Sequence, residues 1–222
     1  MERKFIITID GPAGAGKSTV SKTLAKKLNY IYLDTGALYR ALAYKTLKFK
    51  ISLDDVAALA NLCSSTTIVL KNIDGQMKVS VDGEDVEEKI RTEEVGLAAS
   101  KISTFAMVRE RLLDLQREAG AQGGIVAEGR DMGSVVFPHA DYKFYLDAKL
   151  EERIKRRYEE LLAKDSPVEY KSIQKDMLIR DNQDKQREIA PLKAPDDAII
   201  IDSDNLSVQE VVDKIIFYIS VK

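Results

Sequence analysis

Apolar residues in this chain fall into short, nearly continuous runs, separated by longer stretches in which they recur every third or fourth position. Phe5 to Ile9 is a largely β-branched run suited to a strand buried on both faces. Lys17 to Leu28 follows, with Val20, Leu24 and Leu28 on one helical face. Ile31 to Leu33, Ile125 to Ala127, Tyr142 to Leu146 and Ile199 to Ile201 are further apolar runs, with helical segments between and after them. Five buried strands alternating with helices predict an α/β fold with a five-stranded parallel, doubly wound sheet flanked by helices. "TTIVLKNIDGQMKVSVDGEDV", Thr66 to Val86, breaks the rhythm. Two alternating runs meet there across Asp74-Gly75 and a third follows Asp82-Gly83, which predicts a small antiparallel β insert. Ser52 is placed to cap a helix over 53–61 leading into the insert, and Thr92 to open the helix leaving it.

At 222 residues the chain suits one sizeable core, because cores divide only beyond roughly 250 to 300 residues. Lys and Arg number 34 and Asp and Glu 36, for a net charge of −2. That balance argues against nucleic acid or a membrane surface as partner, so any basic site must be local. The single cysteine, Cys63, cannot form an intramolecular disulfide and reads as a small buried apolar residue. The lone His139 follows Pro138 in a loop and reads as structural or exposed, and no His/Cys spacing suggests zinc. "MERKFIITIDG" runs straight into a strand pattern, and no apolar stretch approaches the roughly 20 residues that span a bilayer, so a cytoplasmic location is expected.

One short stretch fits neither strand nor helix. Gly11-Pro12-Ala13-Gly14-Ala15-Gly16-Lys17-Ser18, with Thr19 after it, matches G-x-x-x-x-G-K-[ST] between a predicted strand and a predicted helix, the setting a phosphate-binding loop requires. Glycines let the backbone turn its amides around a phosphate, and the following helix presents its positive end to the same anion. Lys17 would reach the β and γ phosphates, and the Ser18 hydroxyl could coordinate Mg²⁺.

A guanine-nucleotide switch would carry D-x-x-G after a strand and N-K-x-D, and neither occurs. Instead, arginines stand near element ends: Arg40, Arg109, Arg130, Arg153, Arg156, Arg157, Arg180 and Arg187. Forked cations and a lid are the parts expected of a small phosphotransferase, whose chemistry is mainly charge stabilisation. The acceptor would then also be a phosphate. Each residue has a plainer reading. Arg153, Arg156 and Arg157 could lie on a solvated helix face where Glu152 and Arg156 pair at i,i+4. Arg180 and Asp184 could be an intrahelical pair, Arg109 a helix-surface arginine, and Asp131 a turn residue.

The phosphate loop, "LDTGALYR" (Leu33 to Arg40), "STFAMVRE", "EGRDMGSVVFP" (Glu128 to Pro138), "ERIKRR", "RDNQDKQR" (Arg180 to Arg187) and "APL" occur in that order over nearly the whole chain. Together they resemble the bacterial cytidylate kinase family, in which Ser18, Thr35 and Glu128 are accepted variants. "EGRDMG" joined to "VVFP" and "LDTGALYR" are the specific elements, whereas the phosphate loop is shared by many enzymes. The resemblance implies an ATP-dependent CMP and dCMP kinase of the P-loop kinase fold, using Mg²⁺ and working as a monomer. It implies that Gly11 to Thr19 bind the ATP phosphates, and that Asp34, Thr35, Tyr39 and Arg40 lie on the monophosphate side. Arg40, Arg130 and Arg187 would grip the acceptor phosphate, while Ser100, Arg109 and Asp131 read the cytosine edge. Arg180 and Asp184 would hold the sugar hydroxyls, and Arg153 to Arg157 would belong to a lid over ATP. Lys17, Arg130, Arg153, Arg157 and Arg187 are the implied catalytic cations. Cytosine offers an amino donor beside two acceptors, which a carboxylate or hydroxyl and a guanidinium complement. The expected division is a core (1–62, 92–150, 190–222), a monophosphate-side insert (63–91) and lid and substrate helices (151–189). A kinase for UMP or AMP and a nucleotide-gated switch are the alternatives.

Overall fold

The computed structural model describes residues 4–163 and 169–221. Positions 1–3, 164–168 and 222, within the expected core and lid segments, lie outside the described residues. Strands β1 (Ile6–Asp10), β2 (Ile31–Asp34), β6 (Ile125–Gly129), β7 (Tyr142–Asp147) and β8 (Ile199–Asp202) form the five expected parallel strands, in the order β2-β6-β1-β7-β8. Helix α1 (Lys17–Leu28) buries Val20 and Leu24 against β1 and β7, as the 3.6-residue spacing predicts. On the other face α2 (Thr35–Lys48), α3 (Val56–Ser65), α4 (Glu93–Ile102) and α5 (Ala106–Gly120) share a second apolar cluster that includes Leu38, Leu42, Leu59 and Leu112. Cys63 is buried in this cluster and His139 is exposed, as expected. Helices α6 (Leu150–Leu162) and α7 (Tyr170–Gln186) pack on each other, and α8 (Val208–Ser220), opened by a capping box at Ser207 and Glu210, closes the chain. No described helix is long and apolar enough to cross a membrane.

The insert forms the expected meander of β3 (Ile68–Ile73), β4 (Gln76–Val81) and β5 (Glu84–Asp85). Asp74-Gly75 and Asp82-Gly83 all have positive φ, the backbone that tight hairpin turns require. The meander also joins the main sheet, giving eight strands: Tyr32 N donates to Gly75 O at 2.8 Å and β4 pairs in parallel with β2. Without it the outer edge of β2 would be left unpaired. One cap differs from expectation. The helix before the meander begins at Val56, because Asp55 accepts from Ala58 N at 2.9 Å, while Ser52 accepts from Asp54 N in the preceding turn. An aspartate three residues from an amide it can reach forms the cap ahead of a serine already used in the turn. Thr92 caps α4 as expected.

Candidate active site

The carboxyl ends of β1, β2 and β6 bring Asp10, Asp34 and Glu128 side by side, since Asp10 pairs in register with Gly129 and Asp34 with Glu128. Open α/β sheets place their ligand crevice at these strand ends. The chain leaves β1 through Gly11 at φ 147°, where an added Cβ would stand 2.0 Å from Leu146 O, and it turns again through Gly14 at φ 75°. No side chain caps α1, so its first amides remain available to an anion. Lys17 is buried, with its Nζ donating to Pro12 O at 2.7 Å. Burial and then the nearby Arg130 lower its ammonium to about 7. Ser18 and Thr19 are exposed at the opening of α1.

Asp10 is buried and binds two amides of the next loop, accepting from Met132 N and Gly133 N at 2.8 Å each. Burial raises its carboxyl to about 6 despite those amides. It thereby fixes the segment carrying Arg130 and Asp131 to the start of the phosphate loop. Asp131 forms a buried pair with Arg109 Nη2, and Arg187 Nη2 lies 3.6 Å from its other oxygen. The Arg109 guanidinium stands over the Tyr39 ring, 5.6 Å from its centre. A cavity of about 100 Å³ opens beside them, lined by Tyr39, Arg109, Gln116, Asp131 and Val136. Ser100 is not part of this lining: its hydroxyl donates to Gln183 Oε1 of α7 at 2.8 Å.

Arg130 Nε donates to Asp184 at 2.7 Å, and Arg187 Nη1 lies 3.7 Å from the same residue. Burial opposes ionisation of Asp184, but the charge and hydrogen bond of Arg130, joined by Arg187 and Lys17, together hold the carboxyl below its usual range. Asp184 is thus taken up by Arg130 of the loop after β6 and approached by Arg187 at the end of its own helix, in place of the intrahelical pairing with Arg180. Arg180 lies against Gly96 of α4, and burial followed by Arg130 lowers it to about 10. Arg187 Nη2 and Arg40 Nε are buried nitrogens without a hydrogen-bond partner among the described residues. Unsatisfied buried donors are costly, and an anion reaching either would remove its share of that cost.

The solvated-face reading of α6 does not hold. Arg153 is buried, gripping Asp181 at 2.7 and 3.2 Å and donating to Ala13 O of the phosphate loop at 2.9 Å. Arg156 binds the Ser203 carbonyl at 2.6 Å, and Arg157 pairs with Glu93 of α4 and with Glu160. Arg40 donates to Asp34 at 2.7 Å, while Thr35 donates to Glu128 O at 2.6 Å. Asp10, Tyr32, Arg91 and Asp181 are site neighbours that sequence reasoning missed. Asp10 alone left a signal, as an acid ending a buried β-branched run immediately before the phosphate loop.

The profile of the cytidylate kinase family matches residues 7–221. The chain belongs to the cytidylate kinase family. It is 48% identical over 222 residues to the cytidylate kinase of Caldicellulosiruptor bescii, covering 99% of this chain and 98% of that one. To the cytidylate kinase of Bacillus subtilis it is 46% identical, covering 97% and 96%. A shikimate kinase from Bacteroides thetaiotaomicron shares the fold at TM-score 0.52 and 12% identity, covering 97% of this chain and 98% of that one. An uncharacterised protein from Eubacterium ventriosum does so at TM-score 0.53 and 16% identity, covering 99% of both. The family resemblance stated from the motifs is therefore borne out, as is the P-loop kinase fold.

Proposed function

We propose that the chain transfers the γ-phosphoryl of ATP to CMP, and to dCMP, giving CDP or dCDP and ADP. The carrying observation is the single loop 130–133, pegged by Asp10 to the phosphate loop, which holds Arg130 on one side and the buried Asp131–Arg109 pair on the other. One short segment would thereby align donor and acceptor. Residues Gly11 to Thr19 would enclose the ATP phosphates, with Lys17 turning from Pro12 O to the transferring group. Arg40, Arg130 and Arg187 would hold the acceptor phosphate, beside Asp34, Thr35 and Tyr39. Arg109 and Asp131 would meet the cytosine edge, with Ser100 joining through the Gln183 contact. Arg180 and Asp184 would meet the sugar hydroxyls, and Arg153 and Arg157 would bring the lid helix over ATP.

An oxygen of the acceptor phosphate would attack the γ-phosphorus while the bond to the β,γ-bridging oxygen breaks, leaving the electron pair on ADP. That oxygen is already anionic near neutral pH, so positioning and fixed charge supply the catalysis without an obligatory base. Mg²⁺ fits the donors present. The exposed Ser18 hydroxyl stands beside the Glu128 carboxyl, and no cluster of three or more acidic, His or Cys ligands occurs among the described residues. Such a site suits an ion held by a hydroxyl, nucleotide phosphates and water. When bound, the ion would neutralise charge between the β and γ phosphates. Coupled-enzyme turnover with CMP, dCMP, UMP, AMP and GMP tests the reading. Turnover with CMP should far exceed that with UMP or AMP, whereas slow ATP hydrolysis indifferent to the monophosphate would replace the kinase with a switch.

A further inference from the structure

The insert ends in a single 3₁₀ turn, Lys89–Arg91, and its last side chain reaches the candidate site. Arg91 Nη1 donates to Asp34 Oδ2 at 3.0 Å, the same oxygen that accepts from Arg40 Nη2 at 2.7 Å. The other carboxylate oxygen, Oδ1, caps α2 by accepting from Ala37 N at 3.1 Å. Arg91 is steadied by Glu87, at 3.4 Å, and Glu87 is itself tied to the meander through Val79 N at 2.9 Å. Two guanidiniums therefore share one buried carboxylate, while Arg40 keeps a buried Nε without a hydrogen-bond partner among the described residues. A lone Asp34–Arg40 pair would be neutral and self-contained. With Arg91 added, Oδ2 of Asp34 is divided between two guanidiniums, and its hold on Arg40 is weakened where Arg40 has a donor to offer.

We propose that Arg91 is a positioning residue for the acceptor: by sharing Asp34 Oδ2 it loosens that carboxylate's hold on Arg40, whose guanidinium is then freer to meet the acceptor phosphate, so the insert tunes acceptor affinity. The proposal deepens the acceptor-side reading above and rests on it. The residue acts through Arg40, so its removal should weaken a phosphorylated ligand and spare the same ligand without its phosphate. Removing Arg91 lets Asp34 hold Arg40 alone, and the acceptor anion must then compete with a carboxylate for that guanidinium.

The test measures CMP and cytidine binding by calorimetry, alongside steady-state kinetics, on the full chain carrying Arg91→Met, Arg91→Lys or Arg40→Met. Arg91→Met should weaken CMP about tenfold, the loss expected of one partly exposed charge acting at short range. It should leave cytidine binding, kcat and the KM for ATP within about twofold. Arg91→Lys, which retains the charge, should recover most of the CMP affinity. If Arg91→Met weakens cytidine as much as CMP, or weakens neither, the proposal is overturned and Arg91 only docks the insert. Should Arg91→Met not fold, an Arg91→Lys variant that loses CMP affinity as severely as Arg40→Met overturns it instead, and one close to the native chain supports it. Arg40→Met separates the two levels: if it leaves CMP binding intact, the acceptor-side reading itself fails, whatever Arg91 does.

Discussion

Lys17 shows how burial would prepare one side chain for the phosphates proposed to bind it. Held against Pro12 O and away from water, its ammonium is lowered to about 7, first by burial and then by Arg130. Phosphate anions arriving at the loop would favour the charged form, so ATP binding should take up part of a proton near pH 7 and almost none near pH 5, where the lysine is already charged. Calorimetry in buffers of different ionisation enthalpy measures that uptake, and it should vanish in Lys17→Ala. The same variant should lose about 10²-fold in kcat, the range for removal of one preorganised charge. Its thermal midpoint should not fall. The unfolded chain keeps this proton up to about 10.5, so the folded protein binds fewer protons between about 7 and 10.5, and Lys17 makes folding more favourable as pH rises through that window. Asp10 has the opposite sign. Its folded carboxyl holds a proton up to about 6 against 3.8 unfolded, so its contribution to stability falls as pH rises between those values. Activity lost in Lys17→Ala only in step with unfolding would remove Lys17 from the phosphate site.

At the scale of elements, the question is whether α6 and α7 move. Arg153 joins α6 to α7 through Asp181 and to the phosphate loop through Ala13 O, and Arg157 reaches α4 through Glu93. These charged tethers cross between elements with few apolar contacts beneath them: the local cluster is Ile154, Leu161, Ile173 and Met177, edged by Leu150 and Tyr158. A small apolar base under polar tethers suits a segment that opens at low cost and is fixed by ligands. Amide exchange over 150–158 should therefore slow when ATP and CMP are both bound, and less when either is bound alone. Equal exchange with and without both ligands would leave the segment a fixed helix pair. The sequence disclosed the helix and its arginines but not their partners, because i,i+4 spacing pointed to Glu152 whereas the folded chain gives Arg156 to Ser203 and Arg153 to Asp181. The strands were legible since β-branched runs and Asp-Gly turns act locally. The joining of the meander to β2 was not, because it rests on two hydrogen-bonding edges meeting in space.

For the molecule as a whole, the base recognition proposed here would depend on elements distant in sequence. Arg109 comes from α5, Asp131 from the loop after β6, Tyr39 from α2 and Arg187 from the end of α7. Their residue types could be read from motifs, whereas the sharing of Asp131 between Arg109 and Arg187 could not, since it requires the closed arrangement of four elements. Asp131 and Arg109 are both buried, so a base that fails to match them would leave donors or acceptors unpaired. A site built on such groups can reject an analogue lacking its partners by roughly 10⁴-fold, whereas apolar shape supplies about 10- to 200-fold. Arg109→Met should therefore lower kcat/KM for CMP by about two orders of magnitude and the already small value for UMP far less, at roughly 1.4 kcal/mol per tenfold. Asp131 keeps Arg187 nearby in that variant, so its charge is not left wholly uncompensated and the fold should persist, which the thermal midpoint would report. The KM for ATP should change little, because Arg109 lies beyond the loop pegged by Asp10. An equal loss for CMP and UMP would make Arg109 a phosphate-binding or structural residue and move base recognition to other side chains.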